Sequence, residues 1–421
     1  MEVTFWGVRG STPAPDRAQW RFGGNTACVA VRRTGTPESG KPEARQTLFI
    51  LDAGTGIQEL GRSLLGELSS PGPAPAGLRA HLLFSHFHWD HVQGLPFFEP
   101  LYTYGNNFHL FGPRPQGRSI LSLQEALDHL LQPPFFPTSP AALHAQRQYQ
   151  EIGEERFELD GVRVSTRRLN HPQGCLGYRL EADGTSVVYA SDHEPGFPSF
   201  DHAVRELAWD ADLLIADAHF TPDELGTKFR GWGHSSWAEA VRIARDANVK
   251  NLVLFHHEPA RRDAEIDLML RDARQSFPNT WAASEGAVYA VEPGRVRIRS
   301  RPRRLSQRHP AQREVILEGW ENSHPFAEEA RLENLSFHGA YVLSRHRLEL
   351  HSRVRVVLDA GGQPNANGRL TLDGFVVRTD PVRHQQSNLL NHNAQRFGVA
   401  IHFPGVPDSG VPESGLPETE S

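Results

Sequence analysis

Residues Ser85–Gly94 read SHFHWDHVQG, and the reading of this stretch decides how the rest of the chain is understood. His86, His88, Asp90 and His91 stand at i, i+2, i+4 and i+5, directly after the apolar run Leu82, Leu83, Phe84. Such a run reads as a buried strand, so the four donors emerge together at the rim of a sheet. Neutral imidazole and carboxylate are the donors that zinc and its first-row neighbours take. A lone histidine would read as a hydrogen-bonded side chain; four donors in six residues read as a metal site.

The HxHxDH spacing resembles the metallo-β-lactamase superfamily of metallohydrolases. There the first two histidines, here His86 and His88, bind one metal, and the Asp and third histidine, here Asp90 and His91, bind a second. The resemblance implies an α/β fold, an αββα sandwich, and a later histidine, a bridging acid and a final histidine. Each is present at the end of a strand-like run. Val162–Leu169 leads to Asn170-His171-Pro172, Ser186–Ala190 to Ser191-Asp192-His193, and Asn251–Phe255 to His256-His257. The resemblance thus implies metal ligands His171, Asp192 as the bridging acid, and His256, with His257 as the alternative. Asp52, after the strand Leu48–Leu51 and before a helix carrying Ile57, Leu60, Leu64 and Leu68, takes on the resemblance an outer-shell place beside the metals; by itself it reads equally well as a helix cap.

Gly231-Trp232-Gly233-His234-Ser235-Ser236 resembles the ribonuclease Z branch, whose histidine at this place stabilises the transition state or protonates the leaving group. His234 is therefore the catalytic candidate beside Asp90, with His219 behind it. The resemblance implies two divalent ions, Zn2+ first, with Mn2+ or Fe2+ suited to the same donors. Two ions about 3.5–4 Å apart activate water at neutral pH and clamp the oxygens of a phosphoryl or acyl centre.

The chain has 421 residues, enough for one large domain and a smaller one. Its net charge of −6 gives no whole-chain footprint for nucleic acid or an acidic membrane surface. Two cysteines, Cys28 and Cys175, imply no disulfide framework. The start MEVTFWGVRG lacks a signal-peptide pattern and no run spans a membrane, so the expected location is cytoplasmic. The hydrolase reading covers residues 1–292, followed by a basic linker at 293–303 (Pro293-Gly294 onward), a β-rich segment at 304–404, and a Pro-rich acidic tail at 405–421 read as disordered. Within the β-rich segment, RxxxR at Arg304–Arg308, preceded by Arg303, and NxSxxG at Asn334, Ser336 and Gly339 resemble the PilZ domain, a small β-barrel that receives cyclic di-GMP. Guanidinium forks suit phosphates and guanine edges.

The leading expectation is a di-metal hydrolase of phosphoric esters, a phosphodiesterase on a small-molecule or nucleotide substrate, regulated by cyclic di-GMP. One alternative keeps the metals and moves the chemistry to a thioester or lactone. The other is a cyclic di-GMP sensor that acts through a protein partner. Ribonuclease Z-like relatives often pair, so a homodimer belongs among the expectations.

Overall fold

The structure is a computed structural model that describes residues 1–34, 46–68, 77–115, 121–137, 139–300, 309–321, 324–336, 339–349, 352–359, 369–381 and 397–402. The chain divides into two units, Met1–Arg303 and Arg304–Ser421.

In the first unit β1 (Glu2–Gly7), β2 (Cys28–Thr34), β3 (Gln46–Leu51), β4 (Arg79–Leu83), β5 (Asn107–Pro113) and β6 (Gln146–Ile152) lie side by side. A second sheet follows in chain order: β7 (Arg156–Leu159), β8 (Val162–Leu169), β9 (Cys175–Ala182), β10 (Thr185–Ala190), β11 (Leu213–Asp217), β12 (Leu252–Phe255) and β13 (Thr280–Ala282). β14 (Val288–Glu292) and β15 (Arg295–Ser300) then return to the first sheet beside β1, making it eight-stranded against seven in the second.

The period-2 alternation of strands explains the layering. Val3, Phe5, Phe49, Leu51, Tyr178, Val187, Tyr189, Val253 and Phe255 all enter one buried cluster between the sheets. The residues in between face outward and meet helices. Leu48 and Ile50 share a cluster with Ile57, Leu60 and Leu64 of α1 (Ile57–Leu68). Val188 and Ala190 share another with Val204 and Leu207 of α4 (Pro198–Ala208) and with Ala240, Val241 and Ile243 of α6 (Trp237–Asp246). Full burial of one such aliphatic side chain is worth roughly 1.5–3 kcal/mol, which fixes each helix on its sheet. Among the described residues the other α-helices are α2 (Trp89–Val92), α3 (Leu123–His129), α5 (Pro222–Thr227) and the 14-residue α7 (Asp263–Ser276). The result is an αββα sandwich.

β3 to β6 pair in parallel, as do β10 to β13. Parallel strands end on the same edge, and crevices form there. Asp52 follows β3, His86 follows β4, Asp192 follows β10, and His256 follows β12.

One expectation is corrected. Residues 293–303 do not form a linker throughout, because Arg295–Ser300 is β15, paired antiparallel with β14. The run RVRIRS alternates charge with Val296 and Ile298, and Val296 packs against the core between the sheets. Its basic composition masked a strand period.

The second unit is a closed antiparallel barrel of β16 (His309–Glu321), β17 (His324–Ser336), β18 (Gly339–Ser344), β19 (Arg353–Asp359), β20 (Arg369–Pro381) and β21 (Phe397–His402), in the order β16-β17-β18-β21-β20-β19. β16 and β17 run 13 residues each. Val315, Leu317, Ala330, Leu332, Val342, Val356, Val376, Val399 and Ile401 fill its interior. Arg303, Arg304 and Arg308 lie outside the described residues, as does the tail at 405–421. Asn334 and Ser336 belong to the end of β17 and Gly339 to the start of β18, where Ser336 pairs with Gly339.

Candidate metal centre

Asp192 occupies the middle of the site, almost wholly buried. Its Oδ2 lies 3.7 Å from His86 Nε2 and 3.5 Å from His171 Nε2. Its Oδ1 lies 3.5 Å from both His91 Nε2 and His256 Nε2. One carboxylate thus faces two histidine groups with different oxygens. On the first side, His88 Nδ1 comes within 3.0 Å of His171 Nε2. On the second, Asp90 Oδ2 lies 3.2 Å from His91 Nε2 and 3.1 Å from His256 Nε2. His86, His88 and His171 form one candidate metal-holding group, and Asp90, His91 and His256 another.

The hydrogen bonds behind these rings decide which nitrogens can donate a lone pair. His171 Nδ1 meets the Gly233 carbonyl at 2.7 Å, and a carbonyl only accepts, so Nδ1 carries the proton and Nε2 the lone pair. His91 Nδ1 likewise donates to Asp52 Oδ2 at 2.7 Å. The Ser85 hydroxyl donates to Asp52 Oδ2 at 2.7 Å, so at 3.0 Å it accepts from His86 Nδ1. His88 Nε2 faces Gln173 Oε1 at 3.1 Å, leaving Nδ1 as its lone-pair atom. Asp52 therefore sets the tautomer of His91 directly and of His86 through Ser85, and is itself held by the Tyr189 hydroxyl at 2.8 Å. Outer partners of this kind orient metal-ligating imidazoles.

The inward atoms are then acceptors facing acceptors. His88 Nδ1 and His171 Nε2 oppose lone pairs across 3.0 Å, and His86 Nε2 and Asp192 Oδ1 are buried without a hydrogen-bond partner. Buried acceptors without donors are costly; a cation between them removes that cost, so the residues fit a pair of divalent ions.

Titration shows where a proton competes with a cation for these inward atoms. Burial pushes His91 down, but the carboxylates of Asp90, Asp192 and Asp52 outweigh it and hold the ring well above its usual value. Burial with neighbouring histidines keeps His86 well below. His171 falls to about 4, chiefly through burial. Burial would raise Asp192, yet His256, His91, His171 and His86 hold it well below the normal carboxylate range.

His234 lies beside this centre, with Nδ1 3.0 Å from Asp217 Oδ2 and 3.8 Å from Asp192 Oδ2. Burial lowers it, but Asp217 prevails and brings it up to about 9. His219 turns its Nδ1 to the His256 carbonyl at 2.9 Å and so supports the chain at His256. His257 points away, with Nε2 on the Ala283 carbonyl at 3.0 Å, and His193 faces Asp201 at 3.3 Å. Of the histidine pair after β12, His256 is the one in the cluster. Its φ of 59°, like the 60° of Asp52, turns the chain sharply at the strand end.

Comparison with known proteins adds to this geometry. A family model described as Beta-lactamase superfamily domain matches residues 47–257, half of the chain. The chain belongs to the β-lactamase superfamily. This membership implies divalent metal ions in the cluster, and at the superfamily level the protein is a metal-dependent hydrolase. Ribonuclease Z of Oceanobacillus iheyensis is 24% identical over 344 residues, which is 69% of this chain and 100% of that relative. Ribonuclease BN of Escherichia coli is 25% identical over 348 residues, again 69% of this chain and 100% of the relative. The crystal structure of human tRNase Z, short form, superposes with a TM-score of 0.47 at 20% identity, covering 69% of this chain and 100% of that one.

Several supports of this superfamily site escape a reading of motifs alone. Gly10 lies against His256, and a Cβ there would overlap the imidazole. The Ser11 N–H donates to Asp90 Oδ2 at 2.7 Å. Glu194 receives the N–H groups of Gly231 and Gly233 on its two oxygens at 2.7 Å each, while its own carbonyl accepts from Asn170 Nδ2 at 2.7 Å. Its place two residues after Asp192 was the only signal. A larger hollow of about 740 Å³ on the barrel, lined by Trp320, Phe326, Arg355 and Asp373 among others, contains none of the candidate metal-holding groups.

Proposed function

We propose that the chain is a di-metal phosphodiesterase. The observation that carries this reading is Asp192, whose two oxygens face two separate sets of lone-pair donors at 3.5–3.7 Å. His86, His88 and His171 would hold one divalent ion, Asp90, His91 and His256 the other, and Asp192 both; zinc suits these donors, and manganese or iron would also fit. Ions bound there supply a water of lowered pKa and neutralise charge on phosphoryl oxygens. Asp90, anchored by the Ser11 N–H, holds the orientation of the nucleophile's proton. His234, its Nδ1 on Asp217, carries at Nε2 the proton that a leaving alkoxide needs. The relatives named ribonuclease Z and ribonuclease BN support a phosphoric ester as the bond attacked.

The expected outcome is about two zinc ions per chain and hydrolysis of bis(p-nitrophenyl) phosphate. In Asp90→Ala the rate falls by more than the roughly 10–100-fold typical of losing an outer-shell partner. A metal-loaded protein inert on phosphodiesters yet active on thioesters or lactones would overturn the reading.

A second reading concerns the other unit. The closed barrel and the position of Asn334 and Ser336 at the end of β17 and of Gly339 at the start of β18 support cyclic di-GMP as its ligand, with Arg303, Arg304 and Arg308 supplying the phosphate contacts.

A further inference from the structure

The metal cluster opens into a pocket of about 410 Å³ lined by Ser11, Phe87, His88, Trp89, Asp90, Asp192 and His234. Its size falls in the range of roughly 300–1,000 Å³ that suits small ligands. None of these lining residues is Lys or Arg, and the chain as a whole carries −6. A long polyanion gains its affinity from many phosphate contacts with basic side chains, and among the described residues the lining supplies none. What it offers beside the cluster is two aromatic rings.

The two rings differ in kind. Phe87 is half-buried, packed 6.3 Å from the Phe84 ring and close over Gly112, so it is a fixed wall. Trp89 opens α2, where Asp90, His91 and Val92 turn inward, and is itself 61% exposed at the lip of the pocket. We infer that the Trp89 indole is a stacking platform for a planar ring on the ester group that stays on the phosphate, so that the site takes a small nucleoside phosphodiester and not a long RNA strand. The inference rests on the phosphodiesterase reading above and departs from what the names of the ribonuclease relatives would suggest.

Two esters with one leaving group test it: the p-nitrophenyl ester of thymidine 5′-monophosphate and methyl p-nitrophenyl phosphate. Wild type prefers the nucleoside ester in kcat/KM. Trp89→Ala reduces that preference roughly tenfold or more, the scale of losing one base–aromatic stack, and Trp89→Phe retains most of it. Calorimetry with thymidine 5′-monophosphate and with methyl phosphate gives a readout independent of turnover, and Trp89→Ala weakens the nucleotide by the larger factor. Equal losses on both esters, no preference in wild type, or an oligoribonucleotide that competes more than about tenfold better than the mononucleotide with steep salt dependence would overturn the platform. Absence of turnover on either ester, with nucleotide binding still dependent on Trp89, would instead refute the phosphodiesterase reading and leave the platform standing.

Discussion

His234 shows how one neighbour turns a loop histidine into a chemical group. Asp217 Oδ2 at 3.0 Å fixes Nδ1 and holds the ring cationic against the cost of burial. Proton donation matters in proportion to how poor the leaving group is. We therefore expect His234→Ala to lower kcat on an alkyl phosphodiester by the roughly 10²–10⁴-fold of a lost general acid, and on a p-nitrophenyl ester by far less. Steady-state kinetics on the two substrates checks this, and equal losses would make His234 a binding or positioning group. Asp52 shows the complementary case. It touches no inward-facing atom, yet by accepting from His91 Nδ1, Ser85 N, the Ser85 hydroxyl and Tyr189 it decides which nitrogens of His91 and His86 point a lone pair into the centre.

At the level of elements, the site is a set of strand ends held in register by the loops between them. β8, β10 and the loop before α6 deliver His171, Asp192 and His234, and Glu194 ties the three together. Its oxygens take the Gly231 and Gly233 N–H groups, and the Gly233 carbonyl in turn orients His171. A Cβ on Gly233 would overlap His171 and Pro172, so that loop approaches as closely as backbone can. Glu194→Gln keeps one acceptor and sets an amide N–H against a backbone N–H at the other, removing a charge-assisted hydrogen bond worth about 1.5–3 kcal/mol. The expected result is a folded protein in which one of the two metal sites is weakened roughly 10–100-fold and the other holds, measured by zinc competition with a chelator. Equal weakening of both would locate the effect in Asp192 and not in His171.

Across the whole molecule, two separately cored units share one chain. The sandwich buries its apolar surface between two sheets and under helices, and the barrel buries its own within six strands. On the reading that the barrel receives cyclic di-GMP, titration calorimetry of the full chain gives saturable heat with that nucleotide, and Arg304→Ala weakens the binding. An Arg pairs bidentately with phosphate or guanine for roughly 1–3 kcal/mol, so about a tenfold or greater drop is expected. No heat in the wild type would leave the barrel without this role.

The metal half of the protein was legible in sequence because its donors are local. His86, His88, Asp90 and His91 crowd six residues, and the resemblance to the metallo-β-lactamase superfamily pointed to His171, Asp192 and His256, with His257 as the alternative, at the ends of strand-like runs. The strand β15 was hidden because arginines at alternate positions look like solvated charge until a neighbouring strand is present to pair with them. Glu194, Gly10, Ser11, Ser85 and Tyr189 could not be found that way. Their significance depends on which backbone N–H, ring edge or hydroxyl lies opposite, and those partners come from positions far away along the chain. Sequence by itself determined which donors exist and that they sit at strand ends. Only the tertiary structure decided that His256 and not His257 turns inward, that one carboxylate faces two sets of histidines, and which nitrogen of each imidazole is free to bind, because parallel strands bring their ends to one edge and the hydrogen bonds behind the rings fix the protons.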